Sequence, residues 1–514
     1  RRRMKLATLL AQNARRYPDK VALVCGDRRL TFAELDARGD RLANALAARG
    51  VVCGDRVAIT MPNGIELVEA MAAILKLGAL IVPLSTRLAA REIAYILGHC
   101  EPGAVLYSEG MRPAVAAALD GLPEIPRIVV GAAEAGEEGF PAFLESGAAA
   151  PPPAPPAASD DCMIAYTSGT TGRPKGAVAT NANLIVAALA NVAEWELNER
   201  DVVLATTAMA HRTGLSRLAN AIAVGCRLVM QPRFDAADAL SLIEREKVTV
   251  AGGVPTVFRM MTPEFEKRPE AASSLRLIVA TGEVFPVPVK ERLRAAIPHV
   301  GLYTFLAQTE AGYIAALRPD EQQARPHATG RPIFGVEVRA VGADGNDVPR
   351  GEPGELLVRC GEPGRAVVMR EYFRDPEATA AAFEDGWFRT GDVGYFDTDG
   401  YLYFVDRAKD MIVTGGLNVY SKEVEIALID HEAVADAAVV GVPDEAFGEA
   451  IAACVILEEG GAATADELIE HCRARIASYK KPRHVHFFDD LPRTGTGKVM
   501  KQALKQRLAE LSPA

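Results

Sequence analysis

A chain of 514 residues exceeds the roughly 250–300 residues at which one hydrophobic core stops growing, so two or more domains are expected. Apolar residues make up 49 % and charged residues 24 %, the balance of an ordinary globular protein. A formal net charge of −10 argues against nucleic acid or an anionic membrane as a partner held by bulk charge, so any anionic ligand must be held by local groups.

The chain opens with Arg1 to Arg3 and Met4-Lys5-Leu6-Ala7-Thr8-Leu9-Leu10, which imitates the charged region of a signal peptide. Its apolar part is short and runs into Gln12-Asn13-Ala14-Arg15-Arg16, so an amphipathic first helix is expected instead. Short apolar runs then alternate with helical patterns: Val21 to Val24, a helix Thr31 to Arg49, Arg56 to Thr60, a helix Ile65 to Leu77, and Ala79 to Leu84. The rhythm returns later with Val202 to Thr206, Arg227 to Met230, Val248 to Ala251 and Leu277 to Ala280. Strands alternating with helices of this length imply parallel sheets, read here as two doubly wound α/β units in sequence. Between them lies a proline-rich connector, Gly147 to Pro156, where composition alone would cut a domain. From about Gly335 the texture becomes β-rich with Gly/Asp turns, and after Asp406-Arg407 a smaller α/β section follows, including Ala437 to Val442, Ile451 to Ile456 and a helix Asp466 to Ile476.

The eight cysteines show no C-x-x-C spacing, which reads as free thiols in a reducing compartment. No stretch approaches 18 apolar residues, so no membrane span is expected, and a cytoplasmic enzyme is the default reading. His484 and His486 share one face of a β-type run without a third ligand nearby, and are read as structural.

The most informative segment is Tyr166-Thr167-Ser168-Gly169-Thr170-Thr171-Gly172-Arg173-Pro174-Lys175. Glycines admit backbone N–H groups close to an anion, hydroxyls donate further hydrogen bonds, and the lysine supplies charge, so the run suits phosphate. It is not a Walker loop, because Pro174 stands where the second glycine belongs and Lys175 is followed by Gly176. No dinucleotide fingerprint fits either. Four further segments carry unusual chemistry: Gln308-Thr309-Glu310 after the aromatic run Tyr303-Thr304-Phe305; Gly386 to Asp392, ending in a carboxylate on a glycine turn suited to a diol; Asp406-Arg407-Ala408-Lys409-Asp410 ahead of Met411 to Tyr420; and Pro492-Arg493-Thr494-Gly495-Thr496-Gly497-Lys498.

In this order the five segments resemble the adenylate-forming superfamily of acyl- and aryl-CoA ligases, luciferases and peptide-synthetase adenylation domains, from about Leu6 to Leu508. The resemblance implies a large N-terminal region of two α/β subdomains plus a β-barrel (residues 1–408), then a small mobile C-terminal α+β domain (409–514) with its hinge at Lys409. It also makes the proline-rich connector an internal loop of the large region. Thr167, Ser168, Gly169, Thr170, Thr171, Gly172 and Lys175 would then wrap the β- and γ-phosphates of ATP. Glu310 would attend Mg²⁺ with Thr309 beside it, Asp392 and Arg407 would hold the ribose, and Lys498 would serve the adenylation step. Gly415 and Gly416 would line a tunnel for coenzyme A after the small domain rotates.

The Lys498 role also has a physical argument: a carboxylate attacking a phosphate brings two anions together, and a positioned ammonium offsets the repulsion in a water-poor site. Where the family usually carries Tyr-Gly, this chain has Leu306-Ala307. Leu306 removes an aromatic face for adenine, for which Phe305 is the neighbouring substitute, and Ala307 narrows the acid pocket. His211, within Met209 to Gly214, matches a pocket gate. Arg212 beside it is expected to face solvent or an ion pair, with a second carboxylate or ring hydroxyl of the substrate as the other group it could read. Gly282-Glu283 and Ala307-Gln308 are expected as opposite walls of the pocket and adenine site, with Tyr313 beyond. So polar a lining favours a short, aromatic or functionalised acid over a long-chain one. The resulting expectation is an ATP- and Mg²⁺-dependent carboxylic acid:CoA ligase. Loading of a carrier-protein thiol, a non-catalytic nucleotide-binding homologue, a luciferase-like oxygenase and a homodimer are left open.

Overall fold

The computed structural model of the protein describes residues 4–153, 160–167, 173–493 and 499–511. A seven-stranded sheet runs in the spatial order Glu138–Gly139, Arg127–Val130, Ala104–Ser108, Arg56–Thr60, Leu80–Pro83, Asp161–Thr167, Lys175–Thr180, parallel except for the last pair. A nine-stranded sheet has as its parallel centre Gly301–Gln308, Leu277–Thr281, Val250–Gly253, Val202–Ala205, Arg227–Met230 and Val21–Cys25. Two findings correct the reading of two units in sequence. Val21–Cys25, with its antiparallel partner Arg28–Thr31, lies apart from Arg56–Thr60 and Leu80–Pro83 and pairs in parallel with Arg227–Met230 in the second sheet. The strands on either side of the proline-rich connector, Glu138–Gly139 and Asp161–Thr167, belong to one sheet, so the connector is internal to that unit.

The helices explain why the sheets join. Ile65–Leu77 is apolar almost all round and buried along nearly its whole length, as a helix between two layers must be. Its Glu69 and Lys76 are carried inside as ion pairs with Arg38 and with Asp36 and Asp40 of the neighbouring helix Phe32–Ala48. That helix starts at a capping box, the Thr31 hydroxyl accepting from the Glu34 N–H while Glu34 reaches back to the Thr31 N–H. One continuous core contains residues of both sheets, among them Val57, Ile81, Val203 and Leu228.

A third, five-stranded antiparallel sheet stands where the barrel was expected: Glu337–Val341, Gly354–Arg359, Trp387–Phe396 and the short Phe383–Glu384, with Leu402–Arg407 pairing Trp387–Phe396. A fourth sheet lies after Asp410, built on the long hairpin Val434–Asp444 and Gly448–Leu457 with Ile412–Thr414, Leu417–Val419 and His484–Phe487. Helices Ser421–Ile429 and Ala465–Arg473 line one side of its core, and Lys501–Leu511 covers the other through Leu504 and Leu508. All eight cysteines are free thiols. His484 and His486 lie with rings 6.4 Å apart, and no group of three metal-ligating side chains occurs among the described residues. No helix of the described residues is long and apolar enough to cross a membrane.

A buried charge cluster ties the third sheet to the C-terminal unit. The Asp406 carboxylate accepts from the Ser421 hydroxyl at 2.6 Å and the Lys422 N–H at 3.2 Å, and Glu425 pairs with Lys422 at 3.0 Å and Lys501 at 2.8 Å. Burial pushes the Glu425 carboxyl up, but the two ammonium groups outweigh it and bring it from 4.5 down to about 2. Its contribution to stability is therefore complete above pH 4.5 and is lost as the pH falls towards 2. Glu425→Gln is expected to cost about 3–5 kcal/mol at pH 7. Urea unfolding of the two proteins should converge on acidification towards pH 2; a gap that stays constant with pH would contradict the assignment.

Candidate active site

The central parallel strands of the nine-stranded sheet end side by side, and the chemistry-bearing residues follow those ends: Met209 to Gly214 after Val202–Ala205, Gly282-Glu283 after Leu277–Thr281, and Phe305 to Glu310 at the end of Gly301–Gln308. The carboxyl ends of parallel strands are where open α/β sheets bind ligands. Thr167 arrives from the end of a strand of the other sheet.

Glu310 is the centre of the first group. Its Oε1 accepts from the Thr167 hydroxyl at 2.9 Å and from the Tyr372 hydroxyl at 3.3 Å, while the Lys175 ammonium lies 5.2 Å from the centre of the Tyr372 ring. Tyr372 is held because Arg370 to Phe373 hydrogen-bonds along the outer edge of Lys175–Thr180. Sequence reasoning missed Tyr372, a lone tyrosine in a loop with no motif around it. Ser168, Gly169, Thr170, Thr171 and Gly172, assigned to the phosphate loop, lie outside the described residues, as does Lys498.

The second group is reached from Gln308, two residues earlier. Its amide donates to Asp392 Oδ2 at 2.5 Å and to the Thr390 carbonyl at 3.1 Å, and Arg407 Nε lies 3.0 Å from Asp392 Oδ1. Asp392 and Arg407 stand directly opposite each other on paired antiparallel strands, so a buried carboxylate and a half-exposed guanidinium present adjacent polar groups. The turn Gln308-Thr309-Glu310 thus joins both groups.

In the segment expected to line the acid pocket, Gly214 is required by close approach, because a Cβ there would run into the Met209 backbone. His211, just before helix Arg212–Val224, is half-buried, and desolvation lowers its imidazole to about 4, so it is neutral at pH 7. No protein hydrogen-bond partner reaches its Nε2 among the described residues. Gly282 has φ +100°, a conformation that favours glycine, and the Glu283 carboxylate accepts from the Thr256 hydroxyl at 3.1 Å.

Two expectations are corrected here. Arg212 faces neither solvent nor an ion pair: it is buried, and its guanidinium donates to the backbone carbonyls of Thr309 and of Val367, the latter at 2.9 Å. It braces the Glu310 turn and has both terminal nitrogens committed. Phe305 does not take the place of an adenine-stacking aromatic at 306. It is buried against Tyr313, 4.7 Å between ring centres, and Trp195 at 6.1 Å, because neighbouring side chains on a strand alternate faces. Ala307 pairs with Tyr313, and a register shift between Leu306 and Ala307 marks a bulge where the two faces are re-aimed.

Lys409 lies in the helical turn Ala408–Asp410, and Gly415 and Gly416, at φ +57° and +76°, form the hairpin tip between Ile412–Thr414 and Leu417–Val419, with Gly415 against Phe447.

The AMP-binding enzyme family matches residues 10–373, and the AMP-binding enzyme C-terminal domain matches residues 423–498. The chain is 36 % identical over 510 residues to an indoleacetate–CoA ligase of Aromatoleum aromaticum, covering 98 % of each. Among solved structures it is similar to the anthranilate CoA ligase AuaEII in complex with anthranoyl-AMP (TM-score 0.91, 29 % identity, 99 % of this chain and 98 % of that one). It is also similar to o-succinylbenzoate CoA synthetase of Bacillus subtilis with its acyl-adenylate (TM-score 0.85, 31 % identity, 97 % of each chain). With the Glu310 and Asp392 groups set on one turn between two α/β sheets, and with both family domains matched in order, the chain belongs to the AMP-binding, adenylate-forming enzymes.

Proposed function

We propose that this enzyme is an ATP-dependent carboxylic acid:CoA ligase, forming an acyl-adenylate and pyrophosphate and then an acyl-CoA thioester and AMP. The observation that carries the reading is the Gln308–Glu310 turn, which sets the Thr167–Lys175–Tyr372 cluster beside the Asp392–Arg407 pair. Asp392 and Arg407 suit the ribose hydroxyls, and Thr167 with Lys175 suits the outgoing phosphates. Glu310 fits Mg²⁺: it is a single hard carboxylate among hydroxyls, and Mg²⁺ typically takes one or two carboxylates together with substrate phosphates. When bound, Mg²⁺ would neutralise phosphate charge.

Lys498 is assigned the approach of substrate carboxylate and α-phosphate. Residues 1–408 and 409–514 are read as the two domains, with Lys409 as the hinge about which the Gly415-Gly416 tip exchanges with Lys498 for the thiol step. The aromatic wall of Phe305, Tyr313 and Trp195, narrowed at Ala307, supports a short, aromatic or functionalised acid, and the relatives that act on indoleacetate and anthranilate agree with that.

The test is acid-dependent exchange of labelled pyrophosphate into ATP, followed by AMP release over a panel of aliphatic, aromatic and dicarboxylic acids with CoA or a holo-carrier protein as acceptor. Exchange with at least one acid and release dependent on CoA are expected. Exchange with no acid would overturn the reading, and release with the carrier alone would move the activity to carrier loading.

A further inference from the structure

Against Tyr313, helices Asn181–Trp195 and Arg212–Val224 bring polar side chains inward. Asn191 and Trp195 are one turn apart on the first helix, Arg217 and Asn220 three residues apart on the second, so each pair shares a face. The Asn191 amide donates to Asn220 Oδ1 at 3.1 Å and to the Tyr313 hydroxyl at 3.0 Å, and the Trp195 ring lies 6.4 Å from the Tyr313 ring. Arg217, only 2 % exposed, places its guanidinium 5.2 Å from the centre of the Trp195 indole.

What this cluster lacks is acceptors. Among the described residues no carboxylate pairs with Arg217, and no protein acceptor reaches its Nε or Nη1, the Asn220 Nδ2 or the Trp195 Nε1. Buried donors are almost always satisfied, and a buried charge is normally paired. The indole face compensates only part of the cost. As a core filler the arginine would be inferior to an apolar side chain of similar volume. The backbone is also cleared for it: a Cβ on Gly252, at the end of Val250–Gly253, would run into the guanidinium. Gly252 lies on the strand between those that lead into His211 and Gly282, so the guanidinium sits at the depth of the acid-side strand ends.

We propose that Arg217, with the Asn220 amide and the Trp195 indole N–H, forms the floor of the acid pocket and binds a second carboxylate at the far end of the substrate, so that the acid activated is a dicarboxylate. The proposal rests on the ligase reading and names its substrate class. A carboxylate is the acceptor-only group that a guanidinium fork matches, and it neutralises the buried charge. Arg212 cannot take this role, since its terminal nitrogens already hold the Thr309 and Val367 carbonyls.

The experiment uses the full chain and matched pairs, aliphatic and aromatic dicarboxylic acids against their half methyl esters, which keep the length and remove the distal charge. For the preferred acid, kcat/KM for AMP release should exceed that of its half-ester by about 100-fold or more. Arg217→Met should lower turnover of the diacid by a similar factor and leave the half-ester within several-fold. Its melting temperature should equal or exceed that of the unsubstituted protein, because an unpaired buried charge is removed.

Binding is read separately from catalysis. The chain has two tryptophans, so in a Trp387→Phe background the fluorescence of Trp195 should respond to the diacid, and with Arg217→Met it should not. Equal turnover of diacids and half-esters would overturn the proposal while leaving the ligase reading intact. So would loss of both substrates together with a lowered melting temperature in Arg217→Met, the mark of a purely structural arginine. Failure of every acid in pyrophosphate exchange would remove the ligase reading and this proposal with it.

Discussion

Glu310→Gln is expected to reduce acid-dependent pyrophosphate exchange by about 100-fold or more while leaving the fold intact. Glutamine has the same length, and its carbonyl oxygen can still accept from the Thr167 and Tyr372 hydroxyls, so the local hydrogen bonds survive. The negative charge does not. A neutral amide is a poor ligand for a hard divalent cation, so the loss should be partly recovered at raised Mg²⁺ concentration and should leave the melting temperature nearly unchanged. Exchange at the unsubstituted rate would show that the carboxylate serves only to position Thr167 and Tyr372.

Arg212→Met should instead fail first in stability. The guanidinium is buried and supplies donors to two backbone carbonyls, one of them that of Thr309 in the Gln308–Glu310 turn. A buried carbonyl left without a donor costs about 1–3 kcal/mol, so loss of both should cost about 2–5 kcal/mol, seen as a lower urea midpoint. Residual folded enzyme should exchange pyrophosphate more slowly, because Glu310 follows the released Thr309. Arg212→Lys is expected to recover little, since an ammonium cannot reproduce a planar fork spanning two carbonyls. Unchanged stability in Arg212→Met would refute the bracing role. The contrast with Arg217→Met is sharp: the two arginines lie five residues apart in one buried helix. Among the described residues Arg212 holds two backbone carbonyls while Arg217 Nε and Nη1 have no protein acceptor, so removal should destabilise only in the first case.

Much of the site was legible because its chemistry is carried by contiguous residues. Gln308, Thr309 and Glu310 announce themselves as a run, Asp392 ends a glycine-rich string and Arg407 stands in a charge-rich one. Their meeting across paired strands follows from the β-rich texture between them. Tyr372 and Arg217 gave no such signal. A tyrosine in a loop and an arginine in a buried helix acquire meaning from neighbours 62 residues away at Glu310 and on another helix at Trp195.

The sequence by itself determined the strand and helix rhythm and displayed the glycine- and hydroxyl-rich run and the Glu310 and Asp392 carboxylates, because propensity, periodicity and backbone freedom act over a few residues. Only the tertiary structure decided that Val21–Cys25 joins the second sheet, that Phe305 turns to Trp195 and Tyr313 rather than to Leu306's face, and that, among the described residues, Arg212 has backbone acceptors where Arg217 Nε and Nη1 have none. Strand partners, side-chain facing and the pairing of buried charge are set by non-local packing and desolvation. Residues that meet in space need not be close in the chain, and the same arginine is a brace or a receptor according to the acceptors that surround it.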